Sequence, residues 1–160
     1  MNSPQVLTLS NSVLIPQIKK LIDAGRIAEF RVRGYSMRLF VEHERDSVVL
    51  APVTRPLRRY DVVLAEVAPQ LYVLHRIIRV EGDDITLMGD GNIRGTEHCR
   101  RQDVIGLAIG FKRKGREKMD STDALKWRIY SHLWVPLLPL RRYILGVYRR
   151  IWLPLTHKTL

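Results

Sequence analysis

The sequence predicts a mainly β domain with a short helix before it and a basic, helical extension after it. Six runs rich in Val, Ile, Leu and Phe, separated by Gly, Pro and Asp clusters, are typical of strands. A helical period precedes these runs, and a second one begins after Leu140. The pattern divides the chain into residues 1–26, 27–111 and 112–160.

The N-terminal helix is predicted over residues 14–24. Its apolar side consists of Leu14, Ile18, Leu21 and Ile22. Pro16 is placed in the first turn and Gly25 at the end, which are favoured positions for these residue types. The residues before this helix are polar, and Pro16 and two lysines interrupt the apolar stretch, so neither a signal peptide nor a membrane anchor is predicted.

The strands are predicted in the middle of the chain. They span residues 27–32, 47–51, 61–67, 71–80, 85–88 and 104–111. The Glu-Gly-Asp sequence at 81–83 stands between two of these runs and indicates a hairpin. The basic residues 112–116 then predict a solvated linker.

The positive charge is concentrated in the last third of the chain. The 160 residues include 27 Lys and Arg and 16 Asp and Glu, for a net charge of +11. Residues 1–111 have 15 basic and 13 acidic groups, or +2, whereas residues 112–160 have 12 and 3, or +9. This asymmetry indicates a polyanionic partner or an anionic membrane surface. Nucleic acid is disfavoured, because the near-neutral β part offers no basic sheet with interleaved aromatic residues.

The C-terminal segment is typical of a helix that lies in a membrane interface. All three tryptophans are found there, and apolar residues after Leu140 recur at steps of three and four, with arginines largely on the remaining arc. We expect peripheral contact with an anionic membrane through residues 125–155. The longest uncharged run of this C-terminal segment, 129–140, has 12 residues, and a spanning helix needs roughly 20. The alternative is a helix docked on the β domain with its arginines in water.

Ser36 and His75 are the candidate nucleophile and base. Ser36 stands in a Gly-Tyr-Ser-Met sequence directly after a predicted strand. A serine hydroxyl is activated by a neighbouring base, and an imidazole titrates near neutrality. Strand alternation places His75 on the same face as Val73 and Ile77, which we expect to face inward. The alternatives are a turn serine and a hydrogen-bonded core histidine.

Asp90 and Glu97 are candidates for a third member of the site. Asp90 lies in a turn-rich Gly-Asp-Gly-Asn sequence after a short predicted strand, and Glu97 follows a few residues later. Either carboxylate could orient the imidazole and stabilise its charged form. The alternative for Asp90 is an ordinary Asp turn.

No cofactor or metal site is predicted. His98 and Cys99, with His43 far upstream, lack the paired spacing of a zinc site. The glycines around Asp90 lack the further glycine and the strand-to-helix context of a nucleotide-binding loop. Cys99 is the single cysteine, so an internal disulfide is excluded.

Five short sequences in order resemble the signal peptidase superfamily. They are Gly-x-Ser-Met at Ser36, Tyr-Asp-Val-Val at 60–63, His-Arg-Ile-Ile at 75–78, Gly-Asp-Gly-Asn at 89–92 and Asp-Val-Ile-Gly at 103–106. The similarity is to the branch with a Ser-His pair, found in archaeal, endoplasmic-reticulum and some Gram-positive enzymes. It covers about half the chain, residues 30–111.

The resemblance implies a mostly β serine endopeptidase that cleaves a leader, signal or propeptide at a membrane surface. Ser36 would attack the scissile carbonyl, His75 would act as general base and then as acid, and the Ser36 backbone N–H would hold the oxyanion. The substrate would be an extended peptide or preprotein, with small residues before the cut, paired with an exposed strand edge. The chain departs from the family at Leu39, where proline is usual, and at Arg33, where serine is frequent; the membrane-spanning N-terminus of typical members is also missing.

Two other functions fit parts of the sequence. A self-cleaving LexA-like regulator shares the superfamily fold, and Ala24-Gly25 is a cleavage-type dipeptide. That group uses lysine as the base, and Gly25 lies only 11 residues before Ser36, which leaves a very short tether. The other alternative is a non-catalytic basic protein that binds a membrane or nucleic acid through residues 112–160.

Overall fold

An antiparallel sheet of eight strands forms the centre of the protein, so the predicted mainly β class is confirmed. The computed structural model describes residues 10–116, 118–152 and 154. The first helix, α1, spans Asn11–Asp23 and packs on the sheet through Ile15, Ile18 and Ile22, which are buried. This helix begins three residues earlier than the sequence predicts.

All six predicted strand runs form strands. The strands are β1 (Ala28–Arg31), β2 (Ser47–Ala51), β3 (Val62–Ala68), β4 (Leu71–Glu81), β5 (Asp84–Met88), β6 (Glu97–Arg100), β7 (Val104–Lys112) and β8 (Met119–Ser121). Their order is β1-β2-β7-β3-β4-β5-β6, and β8 pairs with residues 110–112 of β7. The sequence does not predict β6 and β8, because each has at most four residues and neither has an apolar run.

The chain after β7 folds back onto the sheet. Helix α2 (Leu125–Trp134) buries Trp127 and Trp134, and helix α3 (Arg141–Val147) continues into a π-helical turn, Tyr148–Trp152. The Trp127 ring stacks on Phe111 of β7, with 4.9 Å between ring centroids. The predicted boundary between residues 111 and 112 therefore falls inside β7, and α2 contributes to the core of the β domain.

The first two residues of the predicted linker at 112–116 are tied to the sheet. Lys112 belongs to β7 and forms an ion pair of 2.5 Å with Glu29. Arg113 forms an ion pair of 2.6 Å with Asp46, whose side chain is fully buried. Only residues 114–116 of this segment are exposed.

The apolar side chains of the C-terminal segment divide into a buried and an exposed group. Trp127 and Trp134 are only 4% exposed, so these two tryptophans belong to the buried group. The exposed group, here called the apolar tail face, consists of Leu125, Ile129, Leu133, Leu138, Leu140, Tyr143, Val147, Ile151 and Trp152. No helix in the described parts of the chain is long and apolar enough to cross a bilayer.

Candidate active site

Ser36 lies on the loop that connects β1 and β2. The φ angle of Gly34 is 104°, a conformation that favours glycine, and its N–H donates a 2.9 Å hydrogen bond to Nδ1 of His43. Met37 and Val41 follow the serine and are buried in the core, which fixes the loop beneath the partly exposed Ser36. The candidate nucleophile is therefore held between two fixed points of the loop.

His75 lies in the interior, on the central part of β4. It pairs opposite Val63 of β3, and its side chain is only 4% exposed, as the strand alternation predicts. Its Nδ1 donates a 2.9 Å hydrogen bond to Oε2 of Glu97, the first residue of β6. This bond fixes the proton on Nδ1, so Nε2 is the nitrogen with a free lone pair.

Gly89 shows how close Ser36 and His75 are. A methyl group on this glycine would lie 3.0 Å from Nε2 of His75, 3.0 Å from Cβ of Ser36 and 2.4 Å from the Ser36 carbonyl oxygen. Since Nε2 and Cβ each lie 3.0 Å from one point, they are at most twice that distance apart. No hydrogen bond joins the two side chains within the described structure, but such contacts commonly tighten when substrate binds.

Gly91 brings the two loops of the site into contact. Its N–H donates a 2.7 Å hydrogen bond to the Ser36 carbonyl oxygen. A methyl group on Gly91 would lie 2.5 Å from the carbonyl oxygen of Tyr35, a distance that side chains do not adopt. Gly89 faces the carbonyl oxygen of Ser36 and Gly91 faces that of Tyr35, so both positions of the Gly-Asp-Gly sequence need a residue without a side chain.

The backbone N–H of Ser36 is available to an oxyanion. None of the described residues accepts a hydrogen bond from it, whereas the N–H groups of Gly34 and Arg38 are bonded to His43 and Tyr35. An open N–H beside a nucleophile is the donor that a tetrahedral intermediate requires. Within the described residues, the Ser36 N–H is therefore without an acceptor at the position that the resemblance assigns to the oxyanion donor.

The two candidates for the third member occupy different places. Glu97 accepts the hydrogen bond from His75, whereas Asp90 is 1% exposed and binds Arg76 through two hydrogen bonds of 2.8 and 2.6 Å. Burial lowers the pKa of Arg76, but the attraction of Asp90 outweighs it, so this pKa lies above its ordinary value. Asp90 thus anchors the loop that contains Gly89, and Glu97 is the carboxylate that contacts the imidazole.

Helix α2 supports this buried ion pair. Arg76 donates a 2.6 Å hydrogen bond to Oγ of Ser131, and the Trp134 indole N–H donates one of 3.1 Å to the carbonyl oxygen of Asp90. The sequence does not reveal these contacts, since a serine and a tryptophan in a basic segment give no sign of a buried partner. Strand alternation does place Arg76 and His75 on the two different faces of β4. A buried arginine on its face requires a carboxylate partner.

Helix α3 binds the same loop through Arg141. This guanidinium is 1% exposed and donates hydrogen bonds of 3.2 Å to the carbonyl oxygens of both Gly89 and Asn92. Burial lowers its pKa, although an arginine remains charged at neutral pH. The alternative of a docked helix puts the arginine arc, Arg141 included, in water, whereas the structure buries this side chain against the loop carbonyls.

Other nucleophiles and metal ligands are not assembled in the described ranges. No three His, Cys, Asp or Glu side chains there are placed to hold a metal ion. Burial raises the pKa of Cys99 in β6 to about 11, so at neutral pH its side chain is a thiol and a weak nucleophile. Nδ1 of His43 accepts a hydrogen bond from the Gly34 N–H, so this ring nitrogen is not free to act as a base.

No model of a protein family and no curated protein matches the chain. A function is therefore inferred from the arrangement of Ser36, His75 and Glu97 and from the five short sequences around them.

Proposed function

We propose that the protein is a serine endopeptidase of the signal peptidase type, with Ser36 as nucleophile and His75 as general base. The observation that supports this most strongly is the position of Gly89, whose Cα substituent would contact both residues at once. The Glu97 carboxylate on Nδ1 of His75 and the open N–H of Ser36 supply the two further groups that acyl transfer uses.

The proposed reaction has two steps. Oγ of Ser36 attacks the scissile carbonyl carbon while Nε2 of His75 takes the hydroxyl proton, and the Ser36 N–H stabilises the oxyanion. His75 then gives the proton to the leaving amine as the peptide C–N bond breaks, leaving an ester on Ser36. A water molecule, deprotonated by His75, hydrolyses this ester and restores the hydroxyl. Glu97 stabilises the imidazolium in both steps.

The proposed substrate is an extended leader, signal or propeptide with small residues before the cut. Strand β1 is the terminal strand of the sheet order, with β2 on one side only, and the chain leads from it to Ser36. An extended peptide can add to such an edge by main-chain hydrogen bonds, which would bring its scissile bond toward the serine.

Cleavage of a peptide library tests this proposal. Wild-type protein is incubated with peptides of diverse sequence, and new N-termini are identified by mass spectrometry. We expect cuts that follow small residues and that disappear with Ser36→Ala, whose thermal unfolding should match that of wild type. Equal cleavage by the Ser36→Ala protein would sink the proposal, and cleavage confined to its own Ala24-Gly25 bond would favour a self-cleaving regulator instead.

We further propose that the enzyme lies at an anionic membrane surface through the apolar tail face. Exposed basic residues accompany that face, namely Lys126, Arg128, Arg142, Arg149 and Arg150. Apolar side chains flanked by cations are the combination that holds helices in the interface of anionic bilayers.

Vesicle flotation tests the membrane proposal. We expect Ile129→Ser/Leu133→Ser to weaken binding to vesicles that contain phosphatidylglycerol, because both side chains belong to the apolar tail face. The matched control is Val53→Ser/Leu71→Ser, since these two side chains are exposed elsewhere. Equal binding by both double variants would contradict the proposal. So would a wild-type dimer in light scattering that Ile129→Ser/Leu133→Ser dissociates, because a second copy would then cover the face.

A further inference from the structure

A cavity of about 500 Å³ lies between α2 and the segment that leads into β3. Its inner end is lined by the buried residues Trp127 and Ser131 of α2. Its rim includes Arg55, Arg58, Arg59 and Arg128. It is separate from the Ser36 loop, none of whose residues lines it.

The cavity has an excess of positive charge. Two carboxylates line it, and one of them, Asp61, is bound to Arg55 by two hydrogen bonds of 2.8 Å. The remaining arginines, Arg58, Arg59 and Arg128, form no ion pair with any carboxylate in the described ranges, and Asp123 is the second acid. Three guanidinium groups against one carboxylate create a site for an anion.

The mouth of the cavity adjoins the apolar tail face. On α2, the cavity is lined by residues up to His132, and the exposed apolar residues are Leu125, Ile129 and Leu133. At 3.6 residues per turn, His132 and Leu125 are about 20° apart around the helix axis. A bilayer that contains the apolar residues would therefore bring its phosphate groups to the cavity.

We propose that this cavity binds the phosphate group of an anionic phospholipid, while Leu125, Ile129 and Leu133 lie among the upper acyl segments. The planar guanidinium forks of Arg58 and Arg128 match phosphate oxygens, and cavities of roughly 300–1,000 Å³ accommodate small ligands. The proposal rests on the membrane association proposed above and makes it specific, because it assigns one lipid to one site.

Salt-dependent vesicle binding tests this site. The cavity variant is Arg58→Gln/Arg128→Gln, and the control is Arg142→Gln/Arg149→Gln, which removes the same charge from exposed positions outside the cavity. Binding to phosphatidylcholine vesicles with phosphatidylglycerol is measured in 0.1 M and 0.5 M NaCl. Diffuse attraction is screened over roughly 3–10 Å at such ionic strengths. Paired hydrogen bonds from Arg58 and Arg128 to one phosphate depend on geometry as well as on charge, so they should resist salt better than diffuse attraction does.

The expected result is that both double variants bind more weakly at 0.1 M, and that at 0.5 M only the cavity variant is weaker than wild type, by about tenfold. Equal behaviour of the two variants at both salt concentrations would overturn the site. Inorganic phosphate that shifts the arginine NMR signals of the cavity, with unchanged vesicle binding by the cavity variant, would also overturn it in favour of a soluble ligand. Ser36→Ala should bind vesicles like wild type, so a failed peptidase test leaves this result independent.

Discussion

Gly89 fills the narrow space between Ser36 and His75, so a substitution there affects both residues. In Gly89→Ala the new methyl group would lie 2.4 Å from the Ser36 carbonyl oxygen and 3.0 Å from Nε2 of His75, so the Ser36 backbone must shift relative to His75. We expect peptide cleavage to fall by about 100-fold, since misplacement by about 1 Å has this effect on catalysis. Gly146→Ala is the control, because nothing lies within 4 Å of the added atom. Wild-type cleavage by Gly89→Ala would contradict the site geometry.

Glu97 should contribute to the rate of cleavage more than to stability. Glu97→Ala removes the acceptor from Nδ1 of His75, so the imidazole loses its fixed tautomer and the partner of its charged form. We expect kcat to fall by about 100-fold with KM nearly unchanged. Glu81→Ala, at an exposed carboxylate bound to Arg79, serves as the control in the same kinetic assay. Equal kcat values for the two variants would exclude Glu97 from the site.

The sequence identifies Ser36 and His75 as neighbours in the fold, but it does not decide between Asp90 and Glu97. Asp90 follows β5 directly and Glu97 begins β6, and the choice between them depends on β6, which the hydrophobic pattern does not predict. Glu97 is opposite Leu87 of β5, and Leu87 is opposite Ile77, two residues from His75. The pairing of β6 with β5 depends on tertiary contacts, so the local sequence does not show that Glu97 lies near His75.

At the scale of elements, α3 holds the loop after β5 through a single side chain. Arg141→Gln shortens and neutralises the group that binds the carbonyl oxygens of Gly89 and Asn92. We expect the free energy of unfolding to fall by about 1–3 kcal/mol per acceptor group left unsatisfied, and cleavage to weaken because the loop is released. Chemical denaturation and the peptide assay measure the two effects.

Arg142→Gln is the matched control for Arg141. Its side chain is exposed and lies over the ring of Tyr143, away from the loop. Surface substitutions of this kind change stability by about 0.5 kcal/mol or less. If both variants unfold at the same denaturant concentration, α3 does not support the site.

The elements with a clear apolar period are predicted well from the sequence, and the polar ones are not. Strand β2 has the predicted limits, and β4 extends one residue further than predicted. The C-terminal helical character is also predicted, but the side of α3 that faces the protein is not. Arg141 is buried and Tyr143 and Val147 are exposed, which is opposite to the orientation of a helix docked by its apolar side.

At the scale of the whole molecule, the basic segment and the β domain form one folding unit. Trp127 stacks on Phe111 and packs edge-on against Phe40, at centroid distances of 4.9 and 4.2 Å. We expect Trp127→Ala to lower the free energy of unfolding by about 3–5 kcal/mol, a large share of the 5–15 kcal/mol of a typical domain. Ile129→Ala, on the exposed side of the same helix, should change it little. Similar denaturation midpoints for the two variants would show that α2 lies outside the core.

The excess charge of the C-terminal segment divides into a bound and an exposed group. Residues 112–160 have a formal charge of +9, but Lys112, Arg113 and Arg141 bind groups of the β domain. Arg128, Arg142, Arg149 and Arg150 are exposed. The distribution of charge along the sequence therefore does not tell an arginine that holds the fold from one that faces outward.

The central claim is that Ser36 and His75 act as one catalytic unit. A double-mutant comparison tests this claim most directly. The measurement is kcat for one identified peptide with wild type, Ser36→Ala, His75→Ala and the double variant. If proton transfer joins the two residues, each single variant loses about 10⁴–10⁶-fold and the double variant loses no more than the worse single one. Losses that multiply in the double variant, or a Ser36→Ala protein that retains wild-type kcat, would contradict the claim.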